Sequence, residues 1–247
     1  MYQQEFTHSG EALFKVRGKY LGMVVFISVV IAYFNGAPGP FVSDVANQVW
    51  FLASLAVAWS GAIVRFYTSG YAALGTSGVN KVAAIASELN TTGPYSLVRN
   101  PLYLGRILNF TGIAMLSGSW VFGALTFLIS ILIYERISIY EEEFLYKEFG
   151  KDVHAAWAKD VPFLMPRFHG WVKPKYPFWI RRCIKREEKK VMYLLAAIAL
   201  TIFARTGFDI NQFPDGSVWY YIWLAGMAAY TVSRGLRRFT KIYDGIS

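Results

Sequence analysis

LYLGRILNFTGIAMLSGSWVFGALTFLISILIY, residues 102–134, is the stretch on which the fold turns. It is almost wholly apolar and too long for one crossing of a hydrocarbon core that needs about 20 helical residues. Ser117-Gly118-Ser119 at its centre has a tight-turn composition, so the run reads as two helices folded into a hairpin. Outward from it, Tyr20–Phe34 and Val49–Phe66 precede, and Val191–Ala204 and Val218–Val232 follow, each an apolar run approaching membrane length. The expectation is an all-α, polytopic membrane helical bundle of about six transmembrane helices. It forms a single membrane domain over 1–247, with 191–234 as a C-terminal transmembrane pair.

Composition agrees. Hydrophobic residues make up 55% of the chain, aromatics 17% and charged residues only 17%, well away from an ordinary soluble domain. A lone cysteine, Cys183, and three histidines, His8, His154 and His169, leave no disulfide framework and no metal cluster to expect. The first apolar run is expected to be retained rather than cleaved, because a polar, charged stretch of about nineteen residues precedes it.

The net charge of +9 is distributed by topology. Residues 35–46 and 206–217 contain no Lys or Arg, whereas 135–190 hold thirteen of the twenty-five. The positive-inside rule then places both termini and the segments 67–100 and 135–190 in the cytoplasm. A basic skirt facing anionic lipid accounts for the charge, so nucleic acid is not an expected partner. The cluster Arg181-Arg182, Lys185-Arg186 and Lys189-Lys190 fits that skirt best, and Trp171, Tyr176, Phe178 and Trp179 read as an interfacial aromatic belt.

The two basic connectors carry the chemistry. Asn100 before Pro101 reads as a helix start, its amide available to cap backbone N–H groups. From there Tyr103, Arg106 and Phe110 share one helix face, which sets Arg106 about one turn inside the membrane. A charge at that depth costs at least ~2.5–3.5 kcal/mol, so Arg106 either faces a polar cavity or acidic partner or snorkels to the interface. In the second connector Glu141, Leu145 and Phe149 are spaced by four, Glu143 and Lys147 form an exposed pair, and Gly150 reads as a helix C-cap. Gly75-Thr76-Ser77-Gly78 reads as a flexible loop.

Taken together, Gly93-Pro94-Tyr95, Arg99-Asn100-Pro101-x-Tyr103-x-Gly105, the hairpin, and Glu141-Glu142-x-x-Leu145-x-x-x-Phe149-Gly150 resemble the superfamily of isoprenylcysteine carboxyl methyltransferases and phospholipid methyltransferases. Val161-Pro162 through Pro166-Arg167 looks like the family's closing Val-Pro…Pro element. The likeness covers 93–167, the expected catalytic core. Three departures stand out: Asn100 occupies the usual histidine position, Val153 and Ala156 stand where tyrosines are common, and the segment before Val161-Pro162 is longer by one residue than the family's.

The resemblance implies a pocket for S-adenosylmethionine built by the hairpin and the connector after it. By that likeness the cofactor-binding residues are Tyr95, Arg99, Asn100, Tyr103, Glu141 and Glu142, and the catalytic residues Arg99, Arg106 and Glu142. The implied reaction is methyl transfer to a membrane lipid or a prenylated or otherwise lipid-anchored acceptor. Phosphatidylethanolamine N-methylation and lipid phosphate methylation are alternatives. Asn100 cannot titrate near neutrality, which keeps a catalytically silent lipid-binding scaffold as a reading of another class.

Overall fold

The computed structural model describes residues 2–36, 39–73, 76, 87–211 and 218–243. Eight α-helices follow in chain order: α1 Tyr2–Asn35, α2 Asp44–Tyr71, α3 Pro94–Leu97, α4 Pro101–Leu116, α5 Trp120–Phe149, α6 Lys151–Asp160, α7 Ile180–Arg205 and α8 Val218–Phe239. No strand occurs among the described residues. Each of the six apolar runs lies within one long helix. Three helical stretches, Glu5–Asn35, Asp44–Tyr71 and Trp120–Phe149, are long and apolar enough to cross a membrane. Of the Gly75–Gly78 loop, Gly75, Ser77 and Gly78 lie outside the described residues.

The hairpin forms as its composition predicts. Gly118 adopts φ +82 between α4 and α5, a left-handed conformation natural to glycine. The Ser119 hydroxyl accepts from Phe122 N at 3.2 Å and caps α5. At the end of α4, Trp50 Nε1 donates to the Met115 carbonyl at 2.9 Å and Asn35 Nδ2 to that of Ser117 at 3.4 Å. Helix ends that a hydrocarbon environment would leave unsatisfied thus receive partners from α1 and α2.

Helix α4 is the centre of the bundle, packed against α1, α2, α5 and α7, while α8 rests on α7. Its buried face, Ile107, Phe110, Ile113 and Leu116, meets Leu55 and Ala58 of α2, Val24 of α1, Tyr134 of α5 and Ile198 of α7. Small residues let α2 and α4 approach backbone to backbone: a Cβ on Gly112 would run into the Ala58 main chain. Asn109 donates to the Ala58 carbonyl at 2.6 Å and is a structural tie between these helices. Exposed apolar side chains such as Phe26, Ile63, Leu128, Leu132 and Val232 cover the outside, as expected of a surface solvated by lipid.

One expectation about charge is corrected. Arg182 does not belong to an outward basic skirt: it is buried and donates to the carbonyls of Ala72 and Ala73 beyond the end of α2. A guanidinium suits a helix C-terminus because the last carbonyls lack intrahelical donors and carry partial negative charge. Residues 171–179 are likewise more than a belt, since Phe178 packs on Tyr67 and Tyr71 and Trp179 N donates to the Gly70 carbonyl at 3.2 Å.

Candidate active site

The two halves of the motif meet around the start of α4. Gly93, at φ +61, opens the one-turn helix α3 and donates to the Val172 carbonyl at 2.9 Å. Arg99 N donates to the Pro162 carbonyl and Arg167 N to that of Leu97, both at 2.9 Å. Ser96 Oγ accepts from Val172 N at 2.9 Å. The Gly-Pro-Tyr segment and the Val-Pro…Pro-Arg element are therefore laced together, and this holds Arg99 at the mouth of α4.

From that position Arg99 Nη1 reaches Glu142, 3.1 Å from Oε1 and 3.2 Å from Oε2. Both side chains are half-buried, so the pair is charge-assisted and only partly screened. Beside it the Tyr103 hydroxyl hydrogen-bonds Glu141, with Arg17 of α1 and Arg106 in electrostatic range of the same carboxylate. The Tyr103 ring stacks on Tyr134 at 4.7 Å between centroids, and Phe110 stacks on the far side of Tyr134 at 6.3 Å. The partly exposed Arg106 hydrogen-bonds Tyr134 and has Tyr103 and Glu187 in electrostatic range.

Two predicted residues behave differently. Asn100 occupies the N-cap position, but its side chain makes no capping bond, and its buried Nδ2 has no hydrogen-bond partner among the described residues. The cap is supplied by the Asn100 carbonyl, which accepts from the N–H groups of Tyr103 and Leu104 at 3.0 Å. Tyr95 has Arg182 and Arg186 of α7 as electrostatic neighbours, and its carbonyl accepts from Trp157 Nε1 at 3.2 Å. The outward Glu143–Lys147 pair forms as expected, at 3.5 Å.

The sequence reading passed over two groups. Arg65 of α2 and Glu187 of α7 form a buried ion pair, 2.9 Å from Nε to Oε2 and 3.1 Å from Nη2 to Oε1. Ser69 Oγ and Lys190 Nζ also donate to Glu187, at 2.9 and 2.8 Å. Arg65 Nη1 donates to the Leu102 carbonyl at 2.8 Å, so the network holds the first turn of α4, where Tyr103 sits. Burial alone would push the Glu187 carboxyl up; the Arg65 and Lys190 charges overcome it and hold the group below the usual carboxylate range. The available signal was a single arginine near the end of the apolar run Val49–Phe66. His154 is the second group. Its ring is buried edge-on between Tyr146 and Trp157, at 4.5 and 5.3 Å, and neither nitrogen has a hydrogen-bond partner among the described residues. Burial first, then the nearby Arg99 charge, hold it below the ordinary histidine range.

Fold and site together define a helical membrane protein whose charged centre is assembled from two separated motifs around a hairpin. Residues 50–152 match the family described as phospholipid methyltransferase. Over that segment the chain is similar to the superfamily of membrane methyltransferases that also holds the isoprenylcysteine carboxyl methyltransferases. No curated protein and no solved structure matches the chain. The matched segment runs from α2 into α6 and so contains Arg65, Arg99 and Glu142, whereas Arg17, Arg167 and Glu187 lie outside it.

Proposed function

We propose that this protein transfers the methyl group of S-adenosylmethionine to a membrane lipid or lipid-anchored acceptor, at a site on the cytoplasmic side of a six-span bundle. The observation that carries the reading is the Arg99–Glu142 pair, which joins the Arg-Asn-Pro and Glu-Glu elements across the hairpin. The residues present fit the cofactor's functional groups. Arg99 Nε and Asn100 Nδ2 are buried donors without a partner among the described residues, the chemistry a carboxylate accepts from. Glu141 and Glu142 offer acceptors for an ammonium group or ribose hydroxyls. Bound there, the cofactor would supply a methyl group on a positively charged sulfur, open to displacement by an acceptor oxygen or nitrogen.

The protein's own contribution is chiefly positioning, which is where most of the gain in such a displacement lies. Arg99 and Glu142 hold each other between the two motifs, and Tyr103, stacked on Tyr134, hydrogen-bonds Glu141 beside them. A carboxylate or phosphate acceptor needs no base. An amine acceptor would give up its proton to Glu141 or Glu142, the carboxylates at hand.

Asn100 favours one further reading, a silent lipid-binding scaffold, because it removes the imidazole the motif normally carries. Transfer of radiolabelled methyl from S-adenosylmethionine to a total membrane lipid extract, by the purified protein in nanodiscs, separates the readings. A labelled lipid is the expected result and identifies the acceptor class. Absence of both cofactor binding and label overturns the enzyme reading in favour of the scaffold.

A further inference from the structure

Arg65 crosses α4 in a groove that exists because position 105 carries no side chain: a Cβ on Gly105 would run into Arg65 Cγ and the Gly61 carbonyl. From this groove the guanidinium reaches two ways. Nε and Nη2 fork onto Glu187 of α7, and Nη1 donates to the Leu102 carbonyl in the first turn of α4. The donors of a planar guanidinium keep fixed directions. Held at both ends, Arg65 therefore sets the height and rotation of the turn from which Tyr103 and Arg106 project.

The other end of this brace lies beyond residue 152, outside the matched segment. Residues 180–190, the part of α7 before its apolar run, touch the site region in two further ways. Arg182 donates to the Ala72 and Ala73 carbonyls where α2 ends, and Arg182 and Arg186 are electrostatic neighbours of Tyr95. The next residue, Glu188, serves α8 instead, bonded to Ser233 and Arg237. As a stabilising device alone, the Arg65–Glu187 pair has little to recommend it. The attraction within a buried pair offsets little more than its desolvation, and apolar side chains of similar volume often serve folding as well. Apolar side chains cannot aim a donor at the Leu102 carbonyl.

We propose that Arg65 and Glu187 are positioning residues for methyl transfer. Glu187 aims Arg65, and Arg65 holds the first turn of α4 so that Tyr103 and Arg106 keep their places within reach of Glu141. Helix α7 is thereby part of the working unit rather than an addition to it. The role in methyl transfer rests on the methyltransferase reading; the brace itself does not.

The test compares melting temperature, amide hydrogen exchange, S-adenosylmethionine binding and methyl transfer among full-length variants in nanodiscs. Arg65→Met with Glu187→Leu removes both charges and should melt within a few degrees of the parent. It should nevertheless transfer methyl about 100-fold more slowly, the loss that a displacement of about 1 Å produces. Arg65→Lys keeps a cation for Glu187 but lacks the fork that also reaches Leu102, so it should lose turnover too. In both variants the amides of residues 103–106 should exchange faster, with protection in the middle of α5 unchanged. Glu188→Gln is the comparison: it weakens the hold on α8 and should leave turnover at the parent level. Parent-level turnover in Arg65→Lys, or turnover that simply follows melting temperature across all variants with exchange at 103–106 unchanged, overturns the proposal and leaves a structural ion pair. A parent protein that neither binds S-adenosylmethionine nor transfers methyl rejects the enzyme reading instead. Faster exchange at 103–106 in the variants then leaves the brace standing without that reaction to serve.

Discussion

Replacing Glu187 by leucine would strand a cation inside the bundle. Arg65 and Glu187 are 4% and 3% exposed, and the carboxylate receives Arg65 Nε and Nη2 together with Ser69 and Lys190. In the variant, Arg65 keeps only the Leu102 carbonyl as a hydrogen-bonded partner among the described residues. Removing one member of a buried pair costs about 3–5 kcal/mol, most of it the uncompensated charge. For a chain of this size that lowers the melting temperature on the order of 10 °C. Replacing both residues by apolar ones, Arg65→Met with Glu187→Leu, removes the stranded charge and should recover much of the loss. Cys183 provides the assay. It is the single cysteine and is buried, so a thiol-reactive fluorogenic dye reports unfolding in detergent without an added probe. A Glu187→Leu protein melting within a degree of the parent, or a double variant no more stable than the single, would refute the account of this network.

Three further outcomes are expected. Arg99→Ala and Glu142→Gln should each lower methyl transfer by about 100-fold or more through lost positioning, with the melting temperature retained, whereas Glu143→Gln, whose partner Lys147 is 75% exposed, changes little; normal turnover in either of the first two rejects the site. His154 is buried with its affinity for a proton lowered, so the native state resists its charging; thermal stability should fall as pH drops below about 6.5, the ordinary histidine value, and His154→Phe should flatten that slope. Cysteines placed at Asp160 and Asn211 should be labelled by impermeant reagents from the cytoplasm and from outside, respectively, and the reverse pattern overturns the orientation read from the loop charges.

The helices and the hairpin were legible because both are local. A run of apolar residues of membrane length and a Ser-Gly-Ser turn need nothing from distant parts of the chain, and Gly118 at φ +82 and the Ser119 cap follow directly. The facing of Tyr103, Arg106 and Phe110 was equally a matter of helical spacing, and the three converge on Tyr134. Asn100 shows where local reading ends: it stands at the N-cap as its type and position suggest, yet its amide is left unused while its carbonyl makes the cap.

Which charges meet is settled by the packing of the helices. Arg99 and Glu142 are 43 residues apart and Arg65 and Glu187 are 122 apart. No periodicity encodes such a pairing, because it depends on how α2, α4, α5 and α7 pack. Arg182 illustrates the same limit, since in sequence it is one basic residue among six before an apolar run, and in the fold it closes the end of another helix. A membrane bundle with two motifs flanking a hairpin can be read from the order of the residues alone. Close packing of α4 among its neighbours then determined which buried cations found carboxylates, since a charge inside a low-dielectric bundle persists only where a partner has been brought to it.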